Sequence, residues 1–342
     1  MSAVALVTGG SGYLGSQIIK DLKEKNYFVI NVDIIEKETK FEDLFYKVDI
    51  LDQEKLKSIF DENNIDILIH SAASLPLNKN ENNYKKVNVI GTRNLVEIAN
   101  NFDVSQFCYI SSSSVLGIGS KKIITESQQN IPVDPYAISK SDAEMVIFNE
   151  LKSCNALIIR PRTIIGKNRI GIFGILFEFI SNNIPVFLIG SGKNVIEFID
   201  LEELSDIIVS LIEKNFTGKF NIGNGERMNL NSLYRELILY AGSKSKVVHL
   251  PEKITISILK ILDKLRLSPL APWHYLSFSK SFMQEPSKAF SLVETYPKKS
   301  NLEILKESYD DYIKNSPKEN MSTHQSLVDF KILKIFKIFK KR

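Results

Sequence analysis

The stretch Val4–Gly15, VALVTGGSGYLG, decides the fold. An apolar run of strand length meets a turn with glycine at 9, 12 and 15, and the turn opens a helical pattern from about Tyr13 to Lys25. Glycines at that spacing allow a tight turn and let the backbone come close to a ligand. The N–H groups that begin the following helix favour negative charge. A dinucleotide pyrophosphate fits both features, with Gly9, Ser11, Gly12, Tyr13, Leu14 and Gly15 as its expected contacts. Glycine turns are common, so the weight rests on the strand before this one and the helix after it.

The alternation continues outward. FVINVDI (28–34), IDILIHSAA (65–73), SQFCYISSSS (105–114) and NALIIRPRTIIG (155–166) read as strands. KLKSIFDENN (55–64), NNYKKVNVIGTRNLVEIANN (82–101) and PYAISKSDAEMVIFNELKS (135–153) read as helices between them. This order predicts an α/β fold, a doubly wound parallel sheet with helices on both faces. Ligands bind such sheets beyond the carboxyl ends of the strands. Asp33 ends the second strand, 24 residues after Gly9. Its carboxylate suits both hydroxyls of an adenosine ribose and would repel a 2′-phosphate. Ile34 and Ile35 follow with no arginine, which favours NAD over NADP.

Four serines, Ser111 to Ser114, stand where a strand should end. A turn would explain them; so would a site with one hydroxyl aimed at a substrate. Tyr136 and Lys140 are four residues apart on a predicted helix and therefore share a face. A free phenol, with pKa about 10, is a poor base at neutral pH, but a nearby ammonium and a positive nicotinamide favour the phenolate. Tyr136 would then take the proton of a secondary alcohol while hydride leaves for the nicotinamide. Tyr-x-x-x-Lys is frequent by chance; here it follows a nucleotide turn and a serine-rich strand end in the order such a site needs.

Composition sets the bounds. The 342 residues are 44% hydrophobic and 25% charged, with a mean hydropathy of −0.06, an ordinary balance for a soluble protein. Cys108 and Cys154 are the only cysteines and form no CxxC pair, so neither a disulfide scaffold nor a metal site is expected. MSAVALVTGG runs straight into a strand, which predicts no signal peptide and a cytoplasmic setting. The net charge of +4 is concentrated at the end. Residues 331–342 hold six Lys/Arg and no acid; without them the chain has 38 basic against 40 acidic residues, a net of −2. The body offers no nucleic-acid surface.

The set TGGSGYLG, Asp33, VDI (48–50), HSAA (70–73), VNVIGTRNLVE (87–97), SSSSVLG, YAISK, RPRTIIG and FNIGNGE resembles an extended short-chain dehydrogenase/reductase of the NAD-dependent epimerase/dehydratase family. The likeness covers roughly nine-tenths of the chain. It implies a Rossmann-type NAD-binding domain over 1–165 and a smaller mixed α/β substrate-binding region over 166–315, packed on the first. That region is less regular, with helical patterns at 172–182, 202–214, 229–242 and 254–266. The resemblance also implies that Asp49 and Ile50 flank the adenine, that Ala72, Ala73 and Pro161 line the cofactor, and that the protein is a homodimer. In the family a Ser/Thr five residues before the glycine of a Val-Tyr-Gly-like triplet binds the substrate oxygen; with Val115-Leu116-Gly117 as that triplet, the residue is Ser112. The family's sugar-nucleotide 4,6-dehydratases carry Asp-Glu in the next two positions. Ser113 and Ser114 stand there, which disfavours dehydration.

The expected activity is NAD-dependent oxidation at a secondary hydroxyl, first as a nucleotide-sugar epimerase. One departure weakens the sugar reading. The arginine that meets the diphosphate in nucleotide-sugar members is Ile196 here, and a second is also absent, Arg266 being the last before the SKA segment. Lys193, Arg169 or Lys280 would have to substitute. The alternative is an NAD-dependent dehydrogenase of an apolar alcohol, similar to the hydroxysteroid-dehydrogenase branch. A binding-only NAD sensor is a third class, against which the Ser/Tyr/Lys set argues. His70 reads as structural, Trp273 as core, and Phe173, Phe177 and Phe179 as core or pocket lining. Residues 316–326 read as a polar linker. From Leu327 to Phe339, Lys331, Lys334 and Lys337 punctuate an apolar run. This tail is either disordered, docked on protein, or an interfacial helix on an anionic membrane, where each Lys or Arg contributes about 1 kcal/mol.

Overall fold

A computed structural model of the chain describes residues 2–36, 41–75, 81–119, 123–167, 173–265, 272–277 and 279–315, with backbone alone at 272–274. The linker 316–326, the tail 327–342, Arg169, Arg266 and the side chain of Trp273 lie outside the described residues. Two compact units interleave along the chain. Met1–Ile164, Glu197–Glu226 and Phe282–Lys298 make one; Ile165–Ile196, Arg227–Ser281 and Lys299–Arg342 make the other. The sequence reading cuts the chain once, near 165. Residues 197–226 and 282–298 belong with the first unit because they complete its sheet and cover one of its faces.

That sheet has seven parallel strands. β1 (Val4–Thr8), β2 (Phe28–Asp33), β3 (Leu44–Lys47), β4 (Ile67–His70), β5 (Gln106–Ile110) and β6 (Ala156–Pro161) are joined by the edge strand Gly218–Ile222. The order is Gly218–Ile222, β6, β5, β4, β1, β2, β3. Strand order reverses between β1 and β4, so the crevice where such folds bind ligands opens at the end of β1, at the glycine turn. Both faces are covered, which is why the strands are apolar runs rather than alternating ones. On one face lie α1 (Tyr13–Glu24) and the helix Leu201–Glu213, with Ile18, Ile19, Leu22, Ile207 and Ile208 fully buried. On the other lie α2 (Gln53–Glu62), α4 (Thr92–Asn101) and α5 (Pro135–Glu150), burying Leu56, Phe60, Leu95, Ala143 and Ile147.

Two predicted elements are subdivided. The long helix expected over 82–101 is an α-turn, α3 (Glu81–Asn83), then π-helical backbone over Tyr84–Gly91, then α4. The π-helical stretch lies tight against the sheet end: a Cβ on Gly91 would come 2.4 Å from Ile50 Cδ1. The strand expected over 155–166 breaks at Arg162 into β6 and Thr163–Ile165.

In the second unit Val186–Ile189 pairs in parallel with Val247–Leu250, and Val195–Ile196 antiparallel with Met228–Asn229. The helix Phe173–Ser181 buries Phe173, Phe177 and Phe179, and Phe177 lies 5.7 Å from the rings of Tyr309 and Tyr312 on the helix Asn301–Lys314. These phenylalanines are core. Among the described residues no helix is long and apolar enough to cross a membrane.

Candidate active site

The chain leaves β1 through Gly9, at φ +71°, where an L side chain is strained; a Cβ there would also stand 2.6 Å from Ala72 N. At Gly15 a Cβ would lie 2.2 Å from Gly9 O. α1 starts at Gly12 with no side-chain cap and no acidic residue in its first turn, so its N-terminus is left to an anion. Ser11 and Leu14 are buried beside it and Tyr13 is half-buried. Asp33 closes β2 with its carboxylate held by two backbone donors, Ser11 N–H at 3.1 Å and Ile35 N–H at 2.9 Å. Asp49 is exposed and accepts Leu51 N–H at 3.0 Å; Ile50 is buried under Gly91. Ala72 and Ala73 follow β4, half-buried, and Pro161 closes β6. A glycine cradle that any Cβ would fill, an uncapped helix start and a carboxylate at the end of the second strand fit a dinucleotide.

A buried polar chain ties this turn to α5. Thr92 Oγ1 donates its one hydrogen to Asn88 O at 2.6 Å, so it must receive Nε2–H of His70 at 3.0 Å. His70 Nδ1 then accepts from Thr8 Oγ1 at 2.8 Å. Burial, reinforced by the charge of Lys140, drives the His70 pKa down to about 3, so the ring is a neutral bridge from β1 to α4. Its role is structural, as the sequence suggested. Asn88, within the π-helical stretch, takes Ser74 N–H at 2.7 Å and donates to Ser139 Oγ at 2.9 Å, and Ser139 Oγ donates to Tyr136 O at 2.7 Å.

α5 starts where its sequence dictates. Asp134 is the N-cap, accepting Ala137 N–H at 2.9 Å, and Pro135 follows at the first helical position. Tyr136 therefore lies in the first turn, 9% exposed and edge-on to Tyr84 at 6.0 Å between ring centres. One turn on, Lys140 is buried; its Nζ donates to Ile110 O, the last carbonyl of β5, at 2.8 Å and stands 4.8 Å from the Tyr109 ring centre. Burial lowers the Lys140 pKa to about 7, against the charge of Glu144, which raises it. Ser112 comes two residues after Ile110. Its Oγ accepts Ser114 N–H at 3.1 Å, which leaves its O–H to donate. Lys140 thus anchors the helix carrying Tyr136 to the strand end carrying Ser112.

The other serines have separate partners, and these reveal residues that sequence reasoning missed. Ser111 Oγ donates to Glu144 at 2.6 Å, one turn beyond Lys140. Glu144 also receives Arg160 Nε at 2.9 Å and Nη2 at 2.5 Å, and Asn130 Nδ2 at 3.0 Å. Burial raises the Glu144 pKa, but Arg160 and these hydrogen bonds outweigh it and hold the carboxyl below its usual value. Ser113 Oγ accepts Nη1 of Arg162 at 3.2 Å. The available signal was charge in the wrong place: Arg160 sits inside the apolar run LIIRP, and Glu144 on a helix face that buries Lys140. The substitutes considered for the missing diphosphate arginine lie in the second unit: Lys280 pairs with Glu252 at 2.6 Å, and Lys193 is exposed.

A family model described as the NAD dependent epimerase/dehydratase family matches residues 5–223, and the chain belongs to that family. It is an NAD-dependent enzyme of the short-chain dehydrogenase/reductase type. The chain is 26% identical over 350 residues to a UDP-glucuronate 4-epimerase of Thermodesulfobacterium geofontis, covering 94% of this chain and 98% of that protein. It is 28% identical over 253 residues to the human dTDP-D-glucose 4,6-dehydratase, covering 68% of this chain and 72% of that protein. Among solved structures, the UDP-glucose 4-epimerase of Thermotoga maritima with UDP-glucose shares the fold at a TM-score of 0.75 and 24% identity, over 92% of this chain and all (100%) of that one.

Proposed function

We propose that the protein is a nucleotide-sugar epimerase. One secondary hydroxyl of the sugar is oxidised, the resulting ketone turns over in the site, and the hydroxyl is restored with the opposite configuration. The observation that carries this reading is Lys140, buried one turn after Tyr136 and anchored on Ile110 O two residues before Ser112. NAD, when bound, supplies the acceptance and return of the carbinol hydrogen. The chain's own residues move the proton and hold the substrate. Tyr136 Oη takes the hydroxyl proton and later gives it back; the adjacent Lys140 charge favours the phenolate; Ser112 Oγ donates to the reacting oxygen. Gly9, Ser11, Gly12, Tyr13, Leu14, Gly15 and Asp33 hold the cofactor, with Asp49, Ile50, Ala72, Ala73 and Pro161 around it.

Both epimerases and dehydratases stand among the relatives. Ser113 and Ser114, in the positions where the 4,6-dehydratases carry Asp-Glu, supply no acid–base pair to expel water, and this supports epimerisation. Tyr136→Phe is expected to retain NAD and to lose about 10²–10⁴ in kcat. Near-normal turnover of that variant on a nucleotide sugar that the parent epimerises would refute the assignment. One equivalent of NAD surviving dialysis supports an epimerase; net NADH release on apolar alcohols would instead support the hydroxysteroid-dehydrogenase-like alternative.

The same reading includes a homodimer. α5 leaves Ile138, Met145 and Phe148 exposed, Phe148 to 75%. Light scattering should give twice the chain mass, and Phe148→Glu should shift it to the monomer.

A further inference from the structure

Arg162 follows Pro161 directly at the end of β6, and it is only 6% exposed. Its guanidinium lies over the Phe282 ring, 3.8 Å from the centroid, and Nη1 donates to Ser113 Oγ at 3.2 Å. The counter-charge is loose. Glu197 comes no nearer than 3.9 Å, from Oε2 to Nε, while its Oε1 takes Gly225 N–H at 2.8 Å. Nε of Arg162 is buried without a hydrogen-bond acceptor among the described residues. The pair fits only because residue 223 is glycine: a Cβ there would stand 2.3 Å from Glu197 Oε1 and 2.7 Å from Arg162 Cγ. Burial pulls the Arg162 pKa down to about 10 against the charge of Glu197, so the side chain remains a cation at neutral pH.

An arginine with a purely structural task looks different in this sheet. Arg160 is fully buried and gripped through Nε and Nη2 by Glu144, with Asn130 Oδ1 on Nη2 at 2.8 Å, and Nη1 is its one donor without a partner among the described residues. Among the described residues the Arg162 guanidinium has one hydrogen bond, and it goes to the residue next to Ser112. A planar cation with spare donors at that place suits a carboxylate, which arginine binds through two parallel N–H···O contacts.

We propose that Arg162 is a specificity-determining residue that binds the carboxylate of a nucleotide-linked uronate, a sugar whose acid group stands on the ring carbon beside the reacting carbinol. The proposal rests on the nucleotide-sugar reading above, in which Ser112 holds the reacting oxygen. A carboxylate on the adjacent carbon would lie within a few ångströms of that oxygen, and the residue next to Ser112 is the one that Arg162 touches. The diphosphate is attached across the ring and lies farther from this point.

The test uses full-length, NAD-loaded protein and three probes, UDP-glucuronate, UDP-glucose and UDP, with affinities measured by titration calorimetry. The parent should bind UDP-glucuronate about 10–100-fold more tightly than UDP-glucose, the range a charge-assisted hydrogen-bonded pair gives. Arg162→Met should bring the uronate down to the level of the hexose and leave UDP-glucose and UDP within about twofold. Arg162→Lys, which keeps the charge and loses the fork, should recover part of the preference. A parent without preference for the uronate overturns the proposal and needs no variant to do so. An equal loss for all three probes in Arg162→Met overturns it as well, because the guanidinium then serves the diphosphate or the scaffold. If UDP and both sugars all fail to bind, the nucleotide-sugar reading falls and this proposal falls with it; if UDP binds and the uronate is not preferred, only the proposal falls.

Discussion

Arg160 and Arg162 stand two residues apart, both buried and each beside a glutamate, yet they are held in opposite ways. Arg160 and Glu144 share two hydrogen bonds, with Asn130 touching both partners and Ser111 the carboxylate. Arg162 and Glu197 share none; their nearest approach is 3.9 Å. Desolvating a charge pair is costly, and the cost is offset only where the geometry is good and the remaining donors and acceptors are filled. The first pair has that geometry, with Arg160 Nη1 the donor left unpartnered among the described residues, and it locks α5 against β5 and β6, beneath Tyr136 and Lys140. The second lacks that geometry. What separates the two pairs is the counter-charge: Glu144 is hydrogen-bonded to its arginine, and Glu197 is not.

Removing one carboxylate from each pair should separate them most widely. Glu144→Gln leaves Arg160 buried without its counter-charge and is expected to cost about 3–5 kcal/mol of unfolding free energy. Glu197→Gln removes a partner that makes no hydrogen bond to Arg162 and can still accept Gly225 N–H through its amide oxygen, so about 1–2 kcal/mol is expected. Urea denaturation of the two variants beside the parent measures both. Equal losses would mean that the two arginines do the same work, and the contrast would collapse.

Why these clusters escaped the sequence is itself physical. The glycine turn was legible because local geometry leaves no choice: Gly9 has a positive φ and Gly15 sits against the Gly9 carbonyl. Tyr136 and Lys140 were legible because helical period alone puts them on one face. The sheet was legible because strands buried on both faces must be apolar. Ser111 to Ser114 look alike as four adjacent hydroxyls. Which meets Glu144, which Arg162 and which caps the following turn depends on β6 and on Asn130, brought together only by the fold. The π-helical stretch over Tyr84–Gly91 carries an ordinary helical apolar pattern, so nothing in its periodicity announces the wider turn. The return of residues 197–226 to the first sheet likewise depends on a pairing, Gly218–Ile222 with β6, that no local signal records.

Acid sharpens the contrast by showing what the ion pairs do not do. His70 is buried neutral, with a folded pKa near 3 against about 6.5 for an unfolded histidine. The unfolded state therefore binds more protons between those values, and stability falls as pH drops through that window, by about 2 kcal/mol at pH 5. Glu144 is also shifted down, but from the lower starting value of a carboxyl. Its carboxyl is held below the usual value, so its contribution is intact at pH 5 and is lost only as pH falls below the ordinary carboxylate range. Unfolding free energies at pH 7 and pH 5 should show the loss in the parent and in Glu144→Gln alike. His70→Gln should flatten it. A slope that vanishes in Glu144→Gln would transfer the acid response to the ion pair.

The smallest effect comes from the serines that touch each pair. Ser111→Ala removes a hydroxyl 2.6 Å from the buried Glu144 carboxylate, a hydrogen bond to a charged group, and about 1.5–3 kcal/mol is expected. Ser113→Ala removes the 3.2 Å contact to Arg162 Nη1, longer and on a guanidinium that already leaves Nε without an acceptor. About 0.5–1.5 kcal/mol is expected there. The substitution is the same in both, and the positions are two residues apart on one strand end, so the unfolded states are closely matched and the difference reports on the folded sites. Ligand binding separates the pair further. Ser113→Ala leaves the Arg162 cation in place, so uronate affinity should fall by less than in Arg162→Met, whereas Ser111→Ala should leave the preference for uronate over hexose unchanged. A Ser113→Ala variant that loses more stability than Ser111→Ala would show that Ser113 is the principal anchor of Arg162 rather than a neighbour of its ligand.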